Sequence, residues 1–248
     1  MTNNSPATLP VSFRVLGMSE HLTPVINQIR AFGYHDVLAS ILPPGQLPSP
    51  TDDDRMLIIL ADGCNDTATT IARSFYQAGI LTLVISTVPF TGETSFCDAQ
   101  SVTDLSSMPH CVKGILDMPI KSGYIRLDFN DLAHSLRNAG YFKIIGAVGS
   151  GEKARVADAL SKIGNQLSGE EKTSADNIIT YLSFSSEMNP PLHISEMEPL
   201  AEYISDLPEK IDAIWGLLID NTIPTNQLHL TAILSGKSLK PCVEKGMM

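Results

Sequence analysis

The stretch of residues 55–87 constrains the fold of this chain more than any other part of it. Two continuous apolar runs, RMLIILAD and ILTLVIST, flank the amphipathic pattern TATTIARSFYQAG. Continuous apolar runs are typical of parallel strands that are buried on both faces, and either Asn65 or Asp66 can cap a helix between them. The stretch therefore predicts a parallel βαβ unit.

A strand and a helix are also predicted ahead of this unit. The run VSFRVLG at residues 11–17 predicts a buried strand, and EHLTPVINQIRAFG at residues 20–33 predicts a helix that ends at Gly33. The segment ASILPPGQLPSPTDDD at residues 39–54 has no periodicity, so it predicts a surface loop of about 15 residues. Strands that alternate with helices in this way indicate a Rossmann-like α/β lobe.

The second part of the chain predicts a different arrangement. Asp128 is a candidate N-cap for the helix FNDLAHSLRNAG, which Gly140 is expected to close. The strand YFKIIGAV and the helix GEKARVADALSKIG follow. Three further strands are predicted, NIITYLSFS, IDAIWGLLID and QLHLTAILSG, with the helix HISEMEPLAEYIS between the first two. Runs of strands with helices on one face indicate an α+β lobe.

These patterns give a fold class and a set of domain boundaries. We expect an α/β protein with a reduced Rossmann-like N-terminal lobe, built on a parallel sheet, and a smaller α+β C-terminal lobe. Residues 1–10 are predicted to be a disordered N-terminus, 11–124 the first lobe with its connector, 125–240 the second lobe and 241–248 a tail. The connector itself, residues 91–124, has weak periodicity and predicts only a short apolar turn before Pro119.

Charge and cysteine content exclude several classes of function. With 27 acidic and 17 basic residues the net charge is −10, which repels nucleic acid and anionic membrane surfaces, so nucleic acid is not an expected partner. The cysteines form no CxxC pair and have no histidine at ligand spacing, so neither a metal site nor a disulfide framework is predicted. The N-terminal stretch MTNNSPATLP has neither the basic n-region nor the apolar h-region of a secretion signal, so none is expected, and no apolar run approaches the roughly 20 residues that span a bilayer. A cytoplasmic location is therefore expected.

Four segments, taken in order along the chain, resemble the FtsZ/tubulin superfamily. They are FRVLG at residues 13–17, AGILTLVISTVPF at 78–90, LDFNDLAHSLRNAGYFKIIGAVGSGEKARVADAL at 127–160 and IDNTIPTNQLHLTAILSG at 219–236. The last of them resembles the late hairpin of that family. The resemblance implies the fold of cytoskeletal filament GTPases, in which a central helix joins a nucleotide-binding lobe to an activation lobe.

The two turns that hold phosphate in this family depart from its pattern. The family uses glycine-rich turns because glycine lets backbone amides approach an anion closely, whereas GMSEHLTP and ADGCNDTATT retain only Gly17 and Gly63. Glu20, Asp62 and Asp66 would also place carboxylates near the phosphate oxygens, where like charges repel. These departures imply a truncated, divergent pseudo-GTPase that binds no nucleotide cofactor.

Two longer-range features depart from the family as well. Between the first helix and RMLIILAD, where the family has further strands and helices, only the Pro-rich loop is expected in this chain. The connector is expected to be too short for the family's long central helix. Switching driven by nucleotide is therefore not expected.

One functional loop of the family is retained in part. By motif position, Asp128 and Asp131 match two aspartates that the family presents to the nucleotide of a neighbouring subunit, and Arg126 replaces its asparagine. The resemblance implies a protein partner, either an FtsZ-type filament protein or a second copy of the chain, in a bacterial-type division or membrane-remodelling assembly. Helix capping by both aspartates is the simpler alternative.

Two other functions stay open. A divergent GTP-binding filament GTPase would hold phosphate with Ser19, Asn65 and threonine hydroxyls in place of glycine amides, and GTP would then be its cofactor. A hydrolase would use Cys64, which lies between a predicted strand and a predicted helix, although the six histidines have no motif context. The degenerate phosphate loops comprise Gly17, Ser19, Gly63, Asn65, Thr67 and Thr69.

Overall fold

The computed structural model describes residues 12–90, 96–151 and 153–239. The chain forms two compact units, Met1–Pro109 and His110–Met248. The disorder expected for residues 1–10 and the tail expected at 241–248 lie outside the described residues, and the lobe boundary expected after residue 124 stays a prediction. None of the helices in the described ranges combines the length and the apolar character that a membrane crossing needs.

The first unit contains a parallel five-stranded sheet. Its strands are β1 (Phe13–Gly17), β2 (Val37–Ile41), β3 (Met56–Ala61), β4 (Leu81–Ser86) and β5 (Ala99–Val102), in the order β2-β1-β3-β4-β5. Its helices are α1 (Thr23–Arg30), which follows a 3-10 turn at Glu20–Leu22, and α2 (Asp66–Gln77). The predicted helix at residues 20–33 is thus shorter, and Gly33 follows it with a φ of 73°.

The predicted βαβ unit is confirmed. Every residue of β3 and β4 is buried, and the two strands pair in parallel from Met56 opposite Leu81 onward. The apolar side of α2, which includes Ile71 and Phe75, packs on one face of this sheet. Of the two candidate caps, Asn65 is the N-cap residue. Burial at about 25 cal/mol per Å² of apolar surface stabilises this arrangement.

The surface loop predicted at residues 39–54 is wrong in its first part. Val37–Ile41 form β2, which pairs in parallel with β1, so a further strand does stand between α1 and β3. This strand lies at the sheet edge and is only partly buried, with Leu38 48% exposed. An edge strand with one covered face lacks the continuous apolar run that identifies β3 and β4, and the Pro-rich loop begins only after it.

The second unit contains a mixed five-stranded sheet. Its strands are β6 (Gly123–Ile125), β7 (Gly140–Gly149), β8 (Asn177–Phe184), β9 (Asp212–Ile219) and β10 (Leu228–Gly236), in the order β7-β10-β8-β9-β6. Its helices are α3 (Met108–Ile120), α4 (Phe129–Leu136), α5 (Arg155–Gln166), α6 (Gly169–Ser174) and α7 (Glu198–Ser205), the last preceded by a 3-10 turn at Ile194–Met197. Two residues of α3 precede the boundary between the units.

The late hairpin expected from β9 and β10 is not formed. Strand β10 pairs antiparallel with β7 and β8, and β9 pairs in parallel with β8, so that β8 separates the two strands. The antiparallel β6 closes the sheet beside β9. The hairpin was expected from the resemblance of residues 219–236 to the late hairpin of the family, whereas each of the two strands pairs with β8 instead.

A single apolar core holds α5 and α7 against the sheet of the second unit. Val156, Ala159 and Ile163 of α5 are fully or almost fully buried in it, as is Leu200 of α7. Leu182 of β8, Ile145 of β7 and Leu230 and Leu234 of β10 supply the sheet side. Strands with helices packed on them are the α+β arrangement predicted for this half of the chain.

The connector at residues 91–124 is more regular than predicted. It contains β5, the 13-residue helix α3 and most of β6, rather than a short apolar turn. Val112, Ile115, Leu116 and Met118 of α3 are fully buried. A helix that is apolar on most sides lacks the one-sided periodicity of a surface helix, which is why the sequence pattern missed it. That the connector is too short for the family's long central helix stays a prediction.

Gly140 does not close α4. The helix ends at Leu136, Asn138 adopts the positive φ of 56°, and Gly140, with a φ of 77°, is the first residue of β7. Asparagine tolerates the left-handed conformation better than most residues with a side chain, so it ends the helix two residues earlier than the glycine pattern predicts.

Candidate functional site

The two predicted phosphate turns meet at the carboxyl edge of the first unit's sheet. They follow β1 and β3, which are neighbours, and the chain leaves β1 toward β2 on one side and β3 toward β4 on the other. Such a reversal of strand order creates a crevice at which open α/β sheets bind ligands. The hydroxyl of Ser19, after β1, donates to Oδ2 of Asp62, after β3, over 2.8 Å. Nδ1 of His21 lies 3.7 Å from the same carboxylate oxygen.

A cavity of about 650 Å³ opens at this edge. It is lined by residues 18–20 after β1, by residues 41–47 at the start of the Pro-rich loop, and by Asn65 and Thr67 at the start of α2. Its size falls in the range of small-molecule sites, roughly 300–1,000 Å³. The structure therefore brings Ser19, Asn65 and Thr67 to one concave surface.

The first amides of α2 are already bonded. Oδ1 of Asn65 accepts from the amide of Thr67 over 2.7 Å and from that of Ala68 over 3.3 Å. The free amides of a helix N-terminus are the groups that bind phosphate in many sites. Because the Asn65 side chain occupies two of them, an anion would have to displace it.

Three of the hydroxyl groups proposed as phosphate ligands are engaged as well. Thr69 donates its hydroxyl to the carbonyl of Asn65 over 3.4 Å, and Thr70 donates to the carbonyl of Asp66 over 2.9 Å. Ser19 donates to Asp62. A site in which these hydroxyls bind phosphate would require each of these bonds to break.

Packing accounts for the glycine retained in the first turn. A Cβ atom at Gly17 would lie 2.8 Å from Cδ1 of Ile41 and 3.2 Å from Cγ1 of Ile26, so the absence of a side chain lets α1 and β2 approach β1. Gly63 is different, because a Cβ atom there would meet nothing within 4 Å. Neither glycine is among those with a positive φ.

The charge of this edge is negative. Glu20 is the one charged residue among the described residues that line the cavity. Ser19 also lines it, and the Asp62 carboxylate accepts a hydrogen bond from the Ser19 hydroxyl. Asp66 occupies the first turn of α2. The site thus offers carboxylates where a phosphate-binding site usually offers cations or free amides.

Asp128 and Asp131 form a capping box at the start of α4, in the second unit. Oδ1 of Asp128 accepts from the amides of Asn130, over 2.6 Å, and Asp131, over 3.2 Å. Oδ2 of Asp131 accepts from the amide of Asp128 over 2.8 Å. The capping alternative thus has direct structural support, and Asp128 and Arg126 are both exposed at the surface.

Two of the described cysteines, Cys64 and Cys97, differ in their surroundings. Sγ of Cys64, which is exposed, donates to the carbonyl of Pro89 over 3.3 Å. Cys97 is buried, and burial together with the charge of Asp98 raises its pKa to about 12. Within the described ranges, no group of three or more His, Cys, Asp and Glu side chains is arranged to hold a metal ion.

A charged cluster in the second unit escaped the sequence patterns. Lys113 of α3 and Lys121, the residue after α3, both contact Asp220, which follows β9, and Lys113 also pairs with Asp117. Burial raises the pKa of Asp220, but hydrogen bonds from Thr222 and Lys113 outweigh it and hold that pKa well below its usual range. The four-residue spacing of Lys113, Asp117 and Lys121 was the available signal, because such residues share one helix face.

The comparisons with known proteins establish the fold. No protein-family model matches the chain. An FtsZ W319Y mutant from M. jannaschii superposes with a TM-score of 0.69 at 17% identity, over 91% of each chain. The empty FtsZ dimer of M. jannaschii gives 0.68 at 17%, over 93% of this chain and 89% of that one. GDP-form protofilaments of TubZ from Bacillus thuringiensis serovar israelensis give 0.63 at 9%, over 94% and 88%. The protein therefore has the FtsZ/tubulin-like fold that its sequence segments predicted.

Proposed function

We propose that this protein is a pseudo-GTPase with an FtsZ/tubulin-like fold, shortened and divergent, which acts through protein contacts without binding nucleotide. The observation that carries the proposal is the Asn65 side chain on the Thr67 and Ala68 amides of α2. Those amides would otherwise be the first ligands of a phosphate.

Electrostatics supports the same conclusion. A negative charge at a helix N-terminus gains about 0.3–1 kcal/mol from the helix dipole. Each carboxylate about 4 Å away opposes a phosphate charge by about 1–4 kcal/mol, depending on the local dielectric. Glu20 on the cavity lining and Asp62 beside Ser19 therefore disfavour an anion at this edge of the sheet.

Protein contact is the function that such a fold retains most easily. The FtsZ structure is that of a dimer, and the TubZ structure is that of protofilaments. Contact energy in such interfaces comes from a few anchors within a broad surface, whereas phosphate binding needs specific free amides. The expected partner is an FtsZ-type filament protein or a second copy of this chain, in a filament, division or membrane-remodelling assembly.

Calorimetric titration with GTP and Mg²⁺, and with GDP in parallel, tests the loss of nucleotide binding. The protein sample is first shown to be folded by circular dichroism, and a nucleotide-binding FtsZ serves as the positive control. We expect no heat of binding. Micromolar affinity, equivalent to about −8 kcal/mol, would overturn the proposal.

The surface around Asp128 is the first candidate for the protein contact, and it is tested by co-sedimentation with FtsZ filaments. The double charge reversal Asp128→Lys with Asp131→Lys is expected to weaken association. Because reversal also removes the caps, Asp128→Ser is the matched variant: serine keeps an N-cap oxygen but removes the charge. Unchanged binding by all variants would remove this loop from the interface.

One observation favours the divergent GTPase as a second candidate. The cavity of about 650 Å³ lies at the strand-order reversal, where a nucleotide would be held. Binding there would require the Asn65 and Ser19 side chains to rotate away from their present partners. Light scattering that rises only when GTP is added would support this candidate over the first.

A further inference from the structure

The Pro-rich loop covers a mostly apolar hollow in the first unit. Beside the cavity of about 650 Å³ lies a second one of about 260 Å³, and Ile41, Leu42, Pro43 and Gln46 line both. The smaller cavity extends to Leu57 and Phe75, which belong to the core on the α2 side of the sheet. The two cavities therefore form neighbouring chambers beneath one loop.

The large cavity also has an exposed apolar rim. Leu47, on its lining, is 60% exposed, and Ile41 and Leu42 are only partly buried. Apolar side chains that surround a concavity and remain in contact with water gain free energy when a ligand covers them. The walls thus favour a ligand with an apolar body.

The charges at the two chambers favour a cationic ligand. Glu20 lines the larger chamber, and Asp62 lies against its Ser19. The cation on the smaller chamber, Arg14, is bonded through Nε to the fully buried carboxylate of Asp54 over 2.5 Å, so its charge is neutralised locally. An anionic ligand would therefore meet carboxylates at the larger chamber with no free cation on the described lining to balance it.

We propose that the larger cavity binds a small apolar molecule that carries an ammonium group. Its apolar body lies against Leu42 and Leu47, and its ammonium group lies at Glu20. The inference deepens the proposed function and rests on it, because it requires the former phosphate site to be free of nucleotide. A cavity of this size holds one drug-sized molecule.

Three probes with one skeleton and different charges test the inference: phenylbutylamine, phenylbutanol and phenylbutyrate. Each is titrated into the full chain at neutral pH and followed by amide-resolved NMR at Ser19, Leu42, Gln46 and Thr67. We expect the amine to bind about 1.4-fold to 5-fold more tightly than the alcohol, the range of an exposed ion pair, and the carboxylate to bind most weakly. Equal affinity for amine and carboxylate, or no shifts at these amides with the amine, would overturn the inference.

Two variants distinguish the contribution of the Glu20 charge to binding from that of the apolar walls. Glu20→Gln is expected to remove the preference for the amine over the alcohol while leaving the affinity for the alcohol unchanged. Leu47→Ser is expected to weaken both, and its exposure means that folding is not at risk. Glu209→Gln, an exposed acid in the second unit, is the matched control and should change neither affinity. A preference for the amine that survives Glu20→Gln would overturn the assignment of Glu20.

GTP with Mg²⁺ is the fourth probe, because it distinguishes the two proposals. If neither the amine nor GTP perturbs the cavity amides, the ligand inference fails and the pseudo-GTPase proposal stands. If GTP perturbs them and displaces the amine, the proposed function fails as well. We expect the amine to perturb them and GTP to leave them unchanged.

Discussion

Nζ of Lys113 on α3 lies 2.9 Å from Oδ2 of Asp220, the residue that follows β9, across 107 positions of sequence. Oδ1 of Asp220 lies 3.1 Å from Nζ of Lys121 and accepts a hydrogen bond of 2.6 Å from the hydroxyl of Thr222. The carboxylate is completely buried, whereas the two lysines are 28% and 23% exposed. The Asp220 side chain therefore links the C-terminal part of α3 to the end of β9 in the second unit.

Asp220→Asn is expected to lower the free energy of unfolding by about 2 kcal/mol. Removing one partner of a fully buried ion pair costs about 3–5 kcal/mol, and the partial exposure of both lysines places this case below that range. Urea unfolding followed by the fluorescence of Trp215, the single tryptophan of the chain, measures the change in the second unit. Asp158→Asn is the control, because Asp158 pairs with Lys162 at the surface. Equal losses in both variants would contradict a special role for Asp220.

Stability of the second unit is expected to fall as the pH drops below 6.5. Burial, and then the charge of Lys113, lower the pKa of His229 from its ordinary 6.5, against the opposing charges of Asp220 and Asp117. The folded state therefore binds the His229 proton less tightly than the unfolded state does. The stability that neutral His229 contributes is complete above pH 6.5 and is lost as the pH falls through the folded-state pKa. Urea midpoints collected across this range measure the slope.

His229→Gln is the variant that assigns this slope. Glutamine keeps a polar side chain of similar reach but does not titrate, so the variant should lose the part of the pH dependence that lies just below pH 6.5. An identical slope in the wild-type protein and the variant would place the proton uptake on another group.

Local signals explain which parts of the fold were predictable. The unit β3, α2 and β4 follows from two apolar runs and a cap at Asn65, all within one stretch of sequence. Strand β2 was missed because half of it faces water at the sheet edge. Helix α3 was missed because it is apolar on most sides, so that the narrow polar strip with Lys113 and Asp117 gives no clear one-sided periodicity. The separation of β9 from β10 by β8 depends on pairing between distant segments, which no local pattern records.

The candidate site was likewise predictable only in part from the sequence. The loss of glycine from the two phosphate turns is visible in the sequence, and so is the cap at Asn65. The contact between Ser19 and Asp62 joins residues 43 positions apart, and the cavity depends on how residues 41–47 cover the sheet. Both require the folded structure, because they result from tertiary packing rather than from local propensity.

Gly17→Ala is expected to destabilise the first unit by about 1 kcal/mol, the low end of the usual cost of overpacking a core. The new Cβ would lie 3.2 Å from Cγ1 of Ile26 and 3.3 Å from Cβ of Leu22, whereas the closer atom, Cδ1 of Ile41 at 2.8 Å, is the end of a side chain that can rotate away. Gly63→Ala is the matched control in open space, with an expected change within about 0.5 kcal/mol. Hydrogen exchange at the α1 and β1 amides measures the change in stability that each variant causes. Equal destabilisation by the two variants would show that Gly17 is not retained for packing.

Arg155 and Glu196 offer a test of a buried ion pair in the second unit. Their side chains are 0% and 2% exposed, and two hydrogen bonds join them, Nε to Oε2 over 3.0 Å and Nη2 to Oε1 over 2.7 Å. Arg155 also donates to the carbonyls of Pro190, over 2.8 Å, and Pro191, over 3.2 Å. The Arg155 guanidinium thus binds both the Glu196 carboxylate and two backbone carbonyls of the segment that precedes Glu196.

Arg155→Met alone is expected to lower the free energy of unfolding by about 4 kcal/mol, because it leaves the Glu196 carboxylate buried without its partner. Adding Glu196→Met should recover part of that loss, since two apolar side chains can replace a buried pair. Recovery should stay incomplete, because the carbonyls of Pro190 and Pro191 still lack their donor. Urea unfolding of both single variants and the double variant completes the cycle, and strictly additive losses would show that the two side chains act independently.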